Sequence, residues 1–141
     1  VVFRSPSDLS PSSGDRLRRF FGEIATAEAI GGVTRAWEPG DLWETDSAAR
    51  LARELDLALV VDPMAENPRG GSAPRPVDEL DRDQPAYLRL RGIGRARNGF
   101  REFELEELAE ILQEFQQAWV VFANQDSNRD AKTLSKLLAA S

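Results

Sequence analysis

Two acids and two arginines define the chemistry open to this sequence. Glu38 and Asp62 each follow a short apolar segment, Val33 to Trp37 and Ala58 to Val61. Paired carboxylates at neighbouring strand ends suit acid/base work, in which one group gives a proton and the other takes one. The same pair offers oxygen ligands to a hard cation. Arg89 and Arg91 lie two residues apart, and a guanidinium binds carboxylate or phosphate through two parallel hydrogen bonds. Tyr87 shares their parity, and Asn124 closes the later apolar segment Ala118 to Phe122. Trp37 and Trp43 flank the Glu38-Pro39-Gly40 turn, either as packing residues or as a surface on which a sugar ring stacks. The candidate catalytic pair is therefore Glu38 and Asp62. The candidate ligand-binding residues are Arg89, Arg91, Asn124, Tyr87 and Trp37. A purely structural reading competes: Arg89 pairs with Asp62, or else with Glu38, and only orders the core.

These residues need strands and helices to hold them. Val1-Val2-Phe3 opens with strand character, and Ser13 and Asp15 suit the start of a helix carrying Leu17, Phe20, Phe21 and Ile24. Gly31-Gly32 breaks the chain before the strand Val33 to Trp37. Thr45 suits the cap of a helix with Ala48, Leu51, Ala52 and Leu55. The strand Ala58 to Val61 stops at Asp62-Pro63. Residues 63–85 read as a long surface loop rich in proline, glycine and charge. Ala86 to Leu90 is the next strand. Its alternation puts Tyr87, Arg89 and Arg91 on one face and Leu88 and Leu90 on the other. Leu105, Leu108, Ile111, Leu112 and Phe115 mark a helix, Ala118 to Phe122 a strand, and Ala131, Leu134, Leu137 and Leu138 a last helix.

About five strands alternating with about four helices predict an α/β domain of repeating strand–helix units over residues 1–141. Two architectures fit: a partial or shortened TIM-type barrel of about five parallel strands, or an open flavodoxin-like sheet. Both bind ligands at the carboxyl ends of their strands, where the polar residues above fall. Gly92-Ile93-Gly94 resembles part of a phosphate-binding loop, but the third glycine and the following helix are misplaced. Arg91, Arg95, Arg97 and Arg101 read as a solvated basic loop.

Composition narrows the functions further. The 141 residues include no cysteine and no histidine. That excludes disulfides, thiolate zinc sites, cysteine nucleophiles and a Ser-His-Asp triad within this chain. No tightly bound transition metal is expected, because only hard oxygen ligands remain, which favour magnesium, manganese or calcium; no cofactor is expected either. A net charge of −6 argues against broad nucleic-acid binding. No apolar run approaches a membrane span, and no basic-then-apolar signal opens the sequence, so a cytoplasmic location is expected.

Several short motifs occur in order: Trp37-Glu38-Pro39-Gly40, Val61-Asp62-Pro63, Ala86-Tyr87-Leu88-Arg89-Leu90-Arg91-Gly92, Phe122-Ala123-Asn124 and Asp130-Ala131. Together they resemble the later strands of the YecE-like family, domain of unknown function 72, most of all its archaeal branch. The resemblance runs from about Val1 to Leu138. It implies a TIM-type barrel and brings no settled activity with it. Three positions depart from the family pattern. The arginine usual between Pro39 and Gly40 is missing, Arg91 stands where the family has histidine, and Ala123 replaces an asparagine. The family's amino-terminal strands are also absent.

The expected function is a divergent YecE-like domain, weakly or non-catalytic, that binds a small anion or acts in an assembly. An alternative is a hydrolase of phosphate or sugar compounds, with Glu38 and Asp62 as acid/base and Arg89 and Arg91 as charge clamps. A third reading is a half-barrel completed by another chain. In it a homodimer or partner protein covers Val1 to Phe3 or Ala118 to Phe122.

Overall fold

The computed structural model describes residues 1–67, 69–92 and 99–141. They form two compact units, Val1–Val60 and Val61–Ser141. Ile93, Gly94, Arg95 and Arg97 of the glycine- and arginine-rich loop lie outside the described residues.

The first unit holds strands β1 (Val2–Arg4) and β2 (Ala36–Glu38), with helices α1 (Gly14–Arg19) and α2 (Thr45–Glu54). Strand β3 (Ala58–Val61) begins in it. The strands are parallel, in the order β1-β2-β3, with Phe3 beside Trp37 and Trp37 beside Leu59. All four residues of β3 are buried, as a continuous apolar run in a parallel sheet should be. The predicted strand Val33 to Trp37 is shorter and later than expected. Val33 is exposed, and pairing starts only at Ala36.

The predicted helix with Leu17, Phe20, Phe21 and Ile24 changes character halfway. From Phe20 to Ile24 it widens into a π-helical turn, and the Ala25 amide donates to the Phe20 carbonyl at 2.8 Å. The widening rotates Ile24 out of the buried stripe, leaving it 66% exposed. Phe3, Phe20 and Phe21 meet edge to face at 5.1–5.6 Å. Neither Ser13 nor Thr45 caps a helix through its side chain. Helix α2 closes instead at its far end. The Leu57 amide donates to the Ala52 carbonyl at 2.8 Å and the Asp56 amide to the Arg53 carbonyl at 3.3 Å. Asp56 takes the left-handed conformation, φ 55°, that this closure needs and that glycine usually supplies.

The second unit holds the end of β3, strands β4 (Ala86–Leu90) and β5 (Ala118–Phe122), and helices α3 (Glu102–Gln113) and α4 (Ser127–Ala139). β4 and β5 are parallel and paired along their whole length, with Tyr87 beside Trp119 and Arg89 beside Val121. The expected alternation on β4 is present: Ala86, Leu88 and Leu90 are buried, while Tyr87 and Arg89 are half-buried. Helix α3 buries Leu105, Leu108 and Ile111. On α4 the buried stripe differs from expectation. Leu134 is buried, but Ala131 and Leu138 are exposed, and the acid Asp130 takes the inward position at 1% exposure.

Within residues 63–85 the predicted loop contains a short 3₁₀ helix, Pro76–Glu79, whose Val77 is fully buried. Arg82 fastens this piece. It donates to the carbonyls of Val77 at 2.8 Å and Leu80 at 3.2 Å, and to Glu114 at 2.8 Å. Its guanidinium lies over the Phe115 ring at 4.5 Å. The loop's proline content hid this segment, because prolines at the first positions of a helix read equally well as turn chemistry. Among the described residues no helix is long and apolar enough to cross a membrane.

Candidate functional site

The predicted residues fall in both units. In the first, Trp37 and Glu38 end β2 and are both buried, at 1% and 4% exposure. Pairing carries one step beyond β1, where the Ser5 amide donates to the Glu38 carbonyl at 3.0 Å. That brings the Ser5 hydroxyl to the Trp37 indole, which donates to Oγ at 2.7 Å. Trp43 packs edge to face on Trp37 at 5.0 Å and donates to the Leu9 carbonyl. The Glu-Pro-Gly turn can lie this close because Gly40 has no side chain. A Cβ there would meet the Pro6 carbonyl oxygen at 3.2 Å and Ser7 Cα at 3.3 Å. Trp37 is thus a packed wall rather than an open stacking platform.

In the second unit Asp62 follows β3. Its Oδ1 accepts from the Met64 amide at 3.0 Å and its Oδ2 from the Arg91 amide at 3.2 Å. Both Asp62 oxygens therefore face backbone amides. A turn that places Asp next to the second following amide satisfies it locally. Burial raises the Asp62 pKa, and the two amides pull it back only in part.

On β4, half-buried Tyr87 and Arg89 lie beside half-buried Trp119 and exposed Val121 of β5. Arg91, just past the strand, is exposed. Asn124, two residues beyond β5, donates from Nδ2 to Asp130 Oδ2 at 2.7 Å. Asp130 is the hub that sequence reasoning missed. The same Oδ2 accepts from the Phe100 amide at 3.1 Å, and Oδ1 accepts from Arg129 Nε at 3.2 Å and Nη2 at 3.1 Å. The signal was present: Asp130 sits four residues before Leu134, at the spacing of one helix face. Among the described residues no group of three acidic side chains comes together as a metal site.

A pocket of about 560 Å³ lies wholly within the first unit. Its walls include Phe3, Phe20 and Trp37, and Arg4 and Arg16 stand among its lining residues. It was not foreseen, because the π-helical turn that shapes it leaves no mark on the apolar spacing.

No protein-family model matches the sequence, and no curated protein sequence matches it. In structure the chain is similar to a DUF72 family protein of Enterococcus faecalis V583, seen in two crystal structures. Against the one at 2.52 Å the TM-score is 0.69 with 16% identity, covering 99% of this chain and 61% of that one. Against the one at 3.10 Å the TM-score is 0.63 with 15% identity, covering 99% of this chain and 58% of that one. The chain thus spans about three-fifths of the length of the protein it matches. The fold is accordingly a DUF72-like α/β fold of parallel strands alternating with helices, consistent with a partial TIM-type barrel.

Proposed function

We propose that the chain is a DUF72-like domain, divergent from the YecE-like pattern and without robust catalysis, that binds a small anion at the carboxyl end of β4. The observation that carries this reading is the alternation on β4. It sets Arg89 and Tyr87 on one half-buried face and leads directly to exposed Arg91. Guanidinium groups at a strand's carboxyl end suit a carboxylate or phosphate. Asn124 adds an amide from the neighbouring strand end. The test is titration with inorganic phosphate and with citrate, followed by calorimetry. Binding that weakens about tenfold in Arg91→Ala, and that falls with added salt, supports the reading. Equal affinity in wild type and variant overturns it.

A second reading, the hydrolase, is favoured by the raised pKa of Asp62, a property suited to a proton donor. Turnover of aryl phosphates or aryl glycosides that disappears in Asp62→Asn would establish it. Assembly with a second copy is supported by exposed valines on the strands expected to be covered, Val1 and Val2 near β1 and Val121 on β5. Light scattering at micromolar concentration tests that reading. We propose a cytoplasmic location as well, which cell fractionation tests.

A further inference from the structure

We infer that the pocket of the first unit is a second binding site, separate from the β4 anion site, for an amphiphilic carboxylate: an apolar chain or ring ending in one negative charge. Its volume, about 560 Å³, lies in the range of small-molecule sites. The floor is apolar. Phe3, Phe20 and Phe21 form a three-ring cluster with edge-to-face contacts. Trp37 adds its ring but no donor, because its indole N–H is already given to Ser5 Oγ at 2.7 Å. Ile24, 66% exposed, extends the apolar surface. Such a floor rewards an apolar body and offers nothing to a fully polar anion.

The charged lining has the opposite character. Arg4 and Arg16 are exposed, and neither has an ion pair among the described residues. Arg19 reaches Glu23 only at 4.0 Å, with both side chains largely exposed. A contact of that length between exposed groups cancels little charge. Three arginines against one glutamate leave a net positive lining in a chain whose net charge is −6. The combination selects for charge at one end of the ligand and for apolar bulk at the other. Inorganic phosphate lacks the bulk, and an alcohol lacks the charge.

The experiment is titration of decanoate into the whole protein, below its micellar range, followed by tryptophan fluorescence and amide chemical shifts. Decanol and acetate are run in parallel. Saturable binding at one site in this pocket is expected, read from shifts at Phe20 and Ile24, with much weaker responses there to decanol and acetate. The Arg4→Ala/Arg16→Ala double variant should lose about tenfold or more in affinity. Ile24→Glu, which adds an acid at an exposed position, should abolish binding while circular dichroism stays native. Arg91→Ala should give the same decanoate-induced shifts at Phe20 and Ile24 as wild type, which keeps this result separate from the fate of the β4 site. The inference is overturned if decanoate binding does not saturate, if decanol binds as tightly, or if the double variant keeps wild-type affinity.

Discussion

In the first unit a cation gathers carbonyls, and in the second an anion gathers donors. Arg35, just before β2, donates from Nη1 to the carbonyls of Phe21 at 2.9 Å and Ala25 at 3.1 Å, and from Nη2 to Leu55 at 2.9 Å. Those carbonyls end the π-helical turn and helix α2, where helices leave acceptors unsatisfied and the dipole favours positive charge. Asp130 does the converse beyond β5, drawing together the Phe100 amide, the Asn124 amide group and Arg129. The two hubs also sit at opposite ends of their strands. Arg35 lies at the amino end, which in strand–helix folds carries stability, and Asp130 lies near the carboxyl end, which carries function. A substitution at Arg35 should therefore cost stability alone, whereas one at Asp130 should also disturb the residues expected to bind ligand.

Removing the second hub should give the largest effect. Asp130→Ala leaves the buried Phe100 amide and the Asn124 side chain without their acceptor, and about 3–5 kcal/mol of stability should be lost in denaturant melts. Anion affinity, measured by calorimetry, should fall further than in a control of equal instability. Arg35→Met removes the first hub and should cost about 2–3 kcal/mol with anion affinity untouched. A loss of affinity there would break the division between the two ends.

Asp62 sharpens the contrast by its response to acid. Its folded pKa is raised, so the folded protein binds the proton more tightly than the unfolded chain does. Its favourable contribution is complete below the ordinary aspartate range and is lost as pH rises through the raised value. The wild type should thus gain on Asp62→Asn as pH falls from about 7 to about 3. Asp56→Gly should act in the other direction and stabilise by up to about 1 kcal/mol, since it relieves a left-handed aspartate at the close of α2. The smallest effect belongs to the surface. Arg18 bonds Glu54 at 3.0 Å and Asp15 at 2.9 Å, all three exposed, and Arg18→Ala should leave the denaturation midpoint unchanged.

What could be read ahead of the structure was whatever rests on local period. The β4 alternation, the order of strands and helices and the Gly31-Gly32 break are of this kind, and both of those glycines take positive φ. The spacing of charged residues did not show how cheaply Asp62 satisfies itself on nearby amides. Arg35 was hidden inside a stretch read as strand, and Asp130 inside a stretch read as an apolar helix face. Arg35 is half-buried on backbone carbonyls, which no side-chain pattern announces, and Asp130 gathers a backbone amide with the Asn124 and Arg129 side chains, whose convergence the spacing does not show. The pocket depends on a widened helical turn, which the spacing of Phe20, Phe21 and Ile24 does not distinguish from a regular one.

The Arg82 staple has a consequence for how the chain can be cut. Segment 63–85 has a composition that invites proteases, but cleavage needs several residues to peel away into the enzyme's cleft. Arg82 ties 77–82 together through the Val77 and Leu80 carbonyls and anchors the segment to Glu114 and Phe115 just past α3, so trypsin should spare the bond after it. The bond after Arg75 precedes proline and is resistant for that reason. Arg69 is exposed and leads into Gly70 and Gly71, both exposed with positive φ. Brief digestion should therefore nick the segment first after Arg69, and Glu114→Ala, which keeps Arg82 but removes its carboxylate partner, should open a second cut after Arg82.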